Sequence, residues 1–133
     1  MASILVIDDE EGVRYAIRAV LENQGHAVTE AETGATGLRA LATARFDLVI
    51  CDIIMPDKDG VETIVEIRET LPDQKIVAMS GGGRFNKEEY LTLAAAVGAT
   101  HTVMKPFDAQ TLTEMVDALL AEQHPAAAAA RET

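Results

Sequence analysis

Basic residues are scarce in this sequence: 11 Lys and Arg stand against 22 Asp and Glu across 133 residues, a formal net charge of −11. Binding to a nucleic-acid backbone needs basic patches that neutralise phosphates, so this balance argues against direct nucleic-acid binding. Cysteine is nearly absent. The single Cys51 has no partner for an internal disulfide, and its apolar neighbours in "LVIC" suit a packed thiol better than a reactive one. No apolar run approaches the ~20 residues of a membrane span, and "MASILVIDDEE" lacks the charged n-region of a signal peptide. The expectation is a cytoplasmic protein with no membrane partner. His26, His101 and His124 lack metal-ligand spacing, and "SGGGRFNK" lacks the residue order of a P-loop.

What is present reads as one globular domain. Apolar residues make up 48% and charged residues 25%, and the length suits one core and no second domain. Two kinds of segment alternate. "ILVI" (4–7), "LVIC" (48–51) and "IVAM" (76–79) are short continuous apolar runs, as strands buried on both faces require. "HAVTEAE" (26–32) alternates and "THTVM" (100–104) is half polar, so both read as edge strands. Val13, Ala16, Ile17, Val20 and Leu21 recur at helical spacing, as do Leu112, Met115, Val116, Leu119 and Leu120. Weaker helical patterns cover 34–44, 60–71 and 86–97, the last stopping before Gly98. The pattern predicts an α/β fold, (βα)5, with a doubly wound parallel sheet in the order 2-1-3-4-5 between two helical layers, the flavodoxin-like three-layer sandwich. The domain is expected over 1–123, with the Ala-rich 124–133 as a flexible tail.

All strands of a parallel sheet end at one rim, and that rim is where ligands bind. The first strand ends in Asp8-Asp9, the third in Asp52, the fourth in Ser80 and the fifth in Lys105. Each has an ordinary explanation by itself: a helix cap for Asp9, a turn for Asp52, the approach to a Gly-rich loop for Ser80, a solvated end for Lys105. Their convergence does not. Three clustered carboxylates repel one another and suit a hard, oxygen-liganded cation such as Mg²⁺. A carboxylate beside such a cation can attack a phosphoryl group, while an ammonium and a hydroxyl neutralise the phosphoryl oxygens. Burying Asp52 after four apolar residues is intelligible if its oxygen does that chemistry.

The motifs "ILVIDDE", "DLVICDIIMPDKDGVE", "IVAMSGG" and "VMKPF", in this order, resemble the receiver domain of bacterial two-component response regulators, single-domain type, over residues 3 to 121. The resemblance implies that Asp52 accepts a phosphoryl group from a histidine kinase or phosphotransfer protein. It also implies that Asp8, Asp9, Asp52 and the Ile54 main-chain carbonyl hold Mg²⁺, that Ser80 and Lys105 contact the phosphoryl oxygens, and that Lys105–Pro106 is cis. The function implied is a phosphorylation switch that controls a downstream protein target and is no turnover enzyme, although phosphorylation from small donors and slow self-dephosphorylation are expected. Thr102 departs from the pattern, standing where the family often has Tyr or Phe. The stretch "GGGRFNKEEYLTL" after Ser80 is a longer loop than usual, readable as a hinge or as a solvent loop.

Other readings fit less well. "PDKDG" with Glu66 has acids at EF-hand spacing, but the first ligand position would be Met55. An aspartyl-phosphate hydrolase usually places a second acid two residues after its nucleophile, where this sequence has Ile54. Two classes stay open: a phosphorylation-driven switch, and an adaptor of receiver shape that never uses a phosphate. The acids, hydroxyl and lysine favour the switch. The chain is also readable as a piece of a longer regulator.

Overall fold

The computed structural model describes residues 1–54, 60–81, 92, 94–96 and 98–122. Five strands, β1 (Ser3–Ile7), β2 (Ala27–Ala31), β3 (Leu48–Asp52), β4 (Ile76–Gly81) and β5 (His101–Lys105), pair in parallel in the order β2-β1-β3-β4-β5. Helices α1 (Glu11–Asn23), α2 (Gly34–Thr43), α3 (Gly60–Thr70) and α4 (Ala109–Ala121) have described bounds, and residues 92 and 94–96 are helical as well. This is the doubly wound order read from the alternation of segments. The rest of the expected 86–97 helix, the loop after Ser80 and the tail lie outside the described residues.

The continuous apolar runs are explained by two cores, one on each face of the sheet. Ile4, Val6, Leu48, Ile50, Val77 and Met79 pack with Ile17 and Leu21 of α1 and with Leu112, Met115, Val116 and Leu119 of α4. The alternate residues Leu5, Ile7, Val49, Cys51, Ile76 and Ala78 pack with Ile64 and Ile67 of α3 and with Ala94. Strands β1, β3 and β4 supply both cores and so cannot alternate in polarity. Cys51 is one of the packed residues, as its surroundings suggested. Strands β2 and β5 expose part of each side and form the edges.

The apolar stripe of α1 is narrower than its spacing predicts. Ile17 and Leu21 are buried and Val13 and Val20 half-buried, but Ala16 is exposed. Ala16 lies about 100° round the helix from Ile17, and its methyl is too small to pull that side inward. The end of the fourth crossover follows expectation: Gly98 has φ +124°, a conformation that favours glycine, and its N–H donates to the Ala95 carbonyl.

Candidate functional site

The sheet register brings the strand ends together. Ile7 pairs with Cys51, so Asp8 and Asp52 are the next residues on adjacent strands, and Asp52 pairs with Met79, one residue before Ser80. Gly81 pairs with Lys105 on the far side. Asp8, Asp52 and Ser80 are buried, whereas Asp9 is exposed.

Lys105 reaches back from β5 to both buried acids. Its Nζ lies 2.7 Å from Asp8 Oδ2 and 3.1 Å from Asp52 Oδ2. The two carboxylates are held in the same way. Asp8 Oδ1 accepts the Glu10 N–H at 2.9 Å, and Asp52 Oδ1 accepts the Ile54 N–H at 2.9 Å. Asp52 therefore makes the turn-type bond of its ordinary explanation, Asp8 makes a matching one, and both still offer lone pairs to a ligand. The capping role considered for Asp9 is absent: the N-cap of α1 is Glu10, which has no side-chain capping bond.

Burial is the main cause that pushes the Asp52 carboxyl above the usual carboxylate range, and the nearby charge of Asp8 adds to it. The Ile54 N–H and the Lys105 ammonium oppose the shift without cancelling it. For Lys105, burial acts to lower the pKa, but the bonds and charges of Asp8 and Asp52 outweigh it and the pKa is raised. The ammonium is held in its charged form.

Asp8, Asp9, Glu10 and Asp52 each place a carboxylate oxygen within 4.8 Å of the others. Among the described residues, Lys105 is the ammonium paired with two of these four carboxylates. The donor set is all oxygen and partly open to solvent, which fits a hard divalent cation that keeps some of its water. Glu10 was not among the expected ligands, although its signal is plain in "DDE". Ser80 Oγ is buried and has no hydrogen-bond partner among the described residues. Leaving such a hydroxyl unpaired costs roughly 1–3 kcal/mol, so the orphan points to a group that this hydroxyl would receive.

Two further features build the site. The Lys105–Pro106 bond is cis, as the resemblance implied. Gly60, the first residue of α3, lies so close to the strand end that a Cβ there would fall 2.1 Å from the Asp52 carbonyl oxygen and 2.4 Å from Ile53 Cα. Its N–H donates to the Ile53 carbonyl at 3.1 Å. No larger residue fits without moving the backbone that carries Asp52. Thr102, at the position where an aromatic is common, is half-buried and pairs with Ala78.

The family model described as the response regulator receiver domain matches residues 4–117. The chain belongs to that family. Receiver-domain relatives are numerous, and the similarity runs through nearly all of the sequence. The DNA-binding transcriptional regulator NtrC of Azospirillum brasilense is 35% identical over 127 residues, covering 96% of this chain and 26% of that protein. The KDP operon transcriptional regulatory protein KdpE of Escherichia coli is 37% identical over 108 residues, covering 80% of this chain and 46% of that one. This receiver chain thus spans about a quarter and about half of those two relatives. The crystal structure of the receiver domain of NtrX from Brucella abortus superposes with a TM-score of 0.84 at 30% identity, over 90% of this chain and 99% of that domain. Among the described residues of this receiver, no helix is long and apolar enough to cross a membrane.

Proposed function

We propose that this receiver accepts a phosphoryl group on Asp52, with Mg²⁺ held by Asp8, Asp9, Asp52 and the Ile54 main-chain carbonyl, and with Ser80 and Lys105 receiving the phosphoryl oxygens. The supporting observation is Lys105 Nζ within 3.1 Å of both buried carboxylates, together with a buried Ser80 hydroxyl that has no hydrogen-bond partner among the described residues. Glu10 stands close enough to contribute a ligand, directly or through water.

An oxygen of Asp52 attacks the phosphorus of a phosphohistidine on a histidine kinase or phosphotransfer protein. The new O–P bond forms as the P–N bond breaks, and the imidazole nitrogen keeps the electron pair. Burial makes the attacking carboxylate more basic than an exposed one, and its bond to Ile54 fixes its direction. Lys105 already lies against Asp52 and follows the developing negative charge onto the phosphoryl oxygens, where the Ser80 hydroxyl donates. Bound Mg²⁺ offsets the charge of the carboxylates and of the incoming phosphoryl oxygens, which would otherwise repel.

The product is a covalently marked switch that acts on a downstream protein. It is no catalyst of turnover on external substrates, since no second acid stands two residues after Asp52. The decisive measurement is intact mass after treatment with acetyl phosphate and Mg²⁺. Phosphoryl incorporation into the unmodified chain and its loss in Asp52→Asn are the expected result. Equal incorporation into both would remove Asp52 from its role.

A further inference from the structure

Every polar group of Asp8 is held. Its N–H donates to the Ala31 carbonyl at 3.0 Å, Oδ1 accepts from the Glu10 N–H, and Oδ2 faces Lys105. The fourth bond comes from outside the acid, hydroxyl and lysine set. Arg14 Nη1, one turn into α1, donates to the Asp8 main-chain carbonyl at 2.7 Å.

Arg14 is itself clamped. Its Nε donates to Glu30 Oε1 at 3.1 Å, and Glu30 Oε2 accepts from Arg18 Nη1 at 2.9 Å. The Arg14 side chain is only 12% exposed. A guanidinium donates from a rigid planar fork, so two acceptors in two directions fix its orientation. The Asp8 carbonyl oxygen belongs to the planar peptide unit that leads into Asp9. Holding that oxygen sets the plane, and the plane sets where the Asp9 side chain starts. Asp9 is exposed, so burial does little to fix its side chain.

Charge alone would make this a poor place for an arginine, because a cation beside a cation site repels the ion. Glu30 answers that objection. The hydrogen bond from Arg18, and then that from Arg14, holds its carboxyl below the ordinary range, so it stays ionised against Arg14.

We propose that Arg14 is a positioning residue for the cation site: clamped by Glu30, it holds the Asp8 carbonyl and thereby the Asp8–Asp9 peptide plane that aims the Asp9 carboxylate. The proposal rests on the reading of Asp8, Asp9 and Asp52 as Mg²⁺ ligands.

Two variants separate position from charge. If Arg14 acts only through its charge, Arg14→Gln tightens Mg²⁺ binding and Arg14→Lys leaves it unchanged. If it positions Asp9, both weaken binding, on the order of tenfold, the scale on which supporting bonds around metal ligands act. The measurement is the Mg²⁺ dissociation constant of the whole chain by calorimetry, with circular dichroism in the absence of metal to establish that each variant is folded. Should Arg14→Gln fail to fold, Arg14→Lys decides, because charge alone predicts no change for it. Weaker binding in the folded variants supports the positioning role. Unchanged or tighter binding, with Mg²⁺ still bound by the unmodified chain and lost in Asp9→Ala, overturns the role of Arg14 and leaves the cation site standing. An unmodified chain that does not bind Mg²⁺ overturns both.

Discussion

At the carboxyl rim of the sheet, Lys105 leaves β5 and meets the buried carboxylates of Asp8 and Asp52. At the amino rim, Lys75 stands just before β4 and donates to the main-chain carbonyls of Leu119 and Glu122 at the end of α4. Each ammonium is bound twice, by acceptors far away in sequence. The difference lies in what the acceptors need. The last carbonyls of a helix lack partners within the helix and carry its negative dipole end, and α4 has no basic residue of its own in its last turn. Lys75 satisfies them and joins the helix to the sheet, and nothing about that arrangement is left over. Two buried carboxylates sharing one ammonium keep spare charge and spare lone pairs. Arg68 extends the structural pattern, donating to the carbonyls of Leu71, Pro72 and Gly98. Cations on carbonyls close the fold, whereas a cation on an excess of carboxylates leaves room for a ligand.

Replacing each lysine should separate these roles. Lys105→Ala is expected to slow phosphorylation from acetyl phosphate by roughly a hundredfold or more, the scale of removing one preorganised charge-stabilising group. Lys75→Ala should leave that rate within about twofold and instead lower stability by about 1 kcal/mol, or a few degrees in Tm. Initial rates of phosphoryl incorporation and melting curves of both variants check the pair. A Lys75 variant that loses the rate, or a Lys105 variant that keeps it, breaks the comparison.

A smaller effect, opposite in sign, belongs to Asp52. Its pKa is raised in the folded chain, chiefly by burial, so the folded state holds the proton to higher pH than the unfolded state does. Stability contributed by this group is therefore intact below the unfolded carboxylate range, near pH 4, and falls as pH rises through the folded pKa. Asp52→Asn removes the buried charge and should raise Tm by a few degrees at pH 8 without metal, the scale of about 1 kcal/mol. The gain should shrink as pH approaches 4. Melting curves across that range test the sign, and a gain that grows toward acid pH would contradict it. A site that loses function and gains stability from one substitution is the complement of Lys75, where stability alone is lost.

Much of this arrangement is legible in the sequence, for a physical reason. Continuous apolar runs identify strands buried on both faces, and a parallel sheet delivers every strand end to one rim, so Asp8, Asp9, Asp52, Ser80 and Lys105 can be gathered without coordinates. Glu10 is equally readable, since it continues the same acidic run. Arg14, Lys75 and Gly60 are not. The first two act on main-chain carbonyls, which every residue carries and no sequence pattern marks. Gly60 is one of several turn formers in "DKDG", and only the lack of room for a Cβ, which would fall 2.1 Å from the Asp52 carbonyl oxygen, distinguishes it. Thr102 is legible as a departure, and the structure places it half-buried on β5 beside Ala78.

The smallest expected effect is none at all, and it follows from where the cations go. A protein that binds duplex DNA through its backbone neutralises several phosphates, and each contact needs a Lys or Arg that is not already engaged. Among the described residues, Arg14, Arg18, Arg68, Lys75 and Lys105 all donate to carboxylates or carbonyls of the protein itself. Arg39 and Arg45 stand exposed, against a net charge of −11 for the whole chain. An attractive patch would have to form from these two and from Lys58, Arg84, Lys87 and Arg131, which lie outside the described residues, inside a strongly repulsive field. The relative named as a DNA-binding transcriptional regulator is about four times as long as its match to this chain, so its DNA binding need not reside in the matched part. This chain alone should leave the mobility of duplex DNA unchanged at micromolar protein, at low and at physiological salt alike. A shift that weakens as salt rises would reveal phosphate contacts and overturn this expectation.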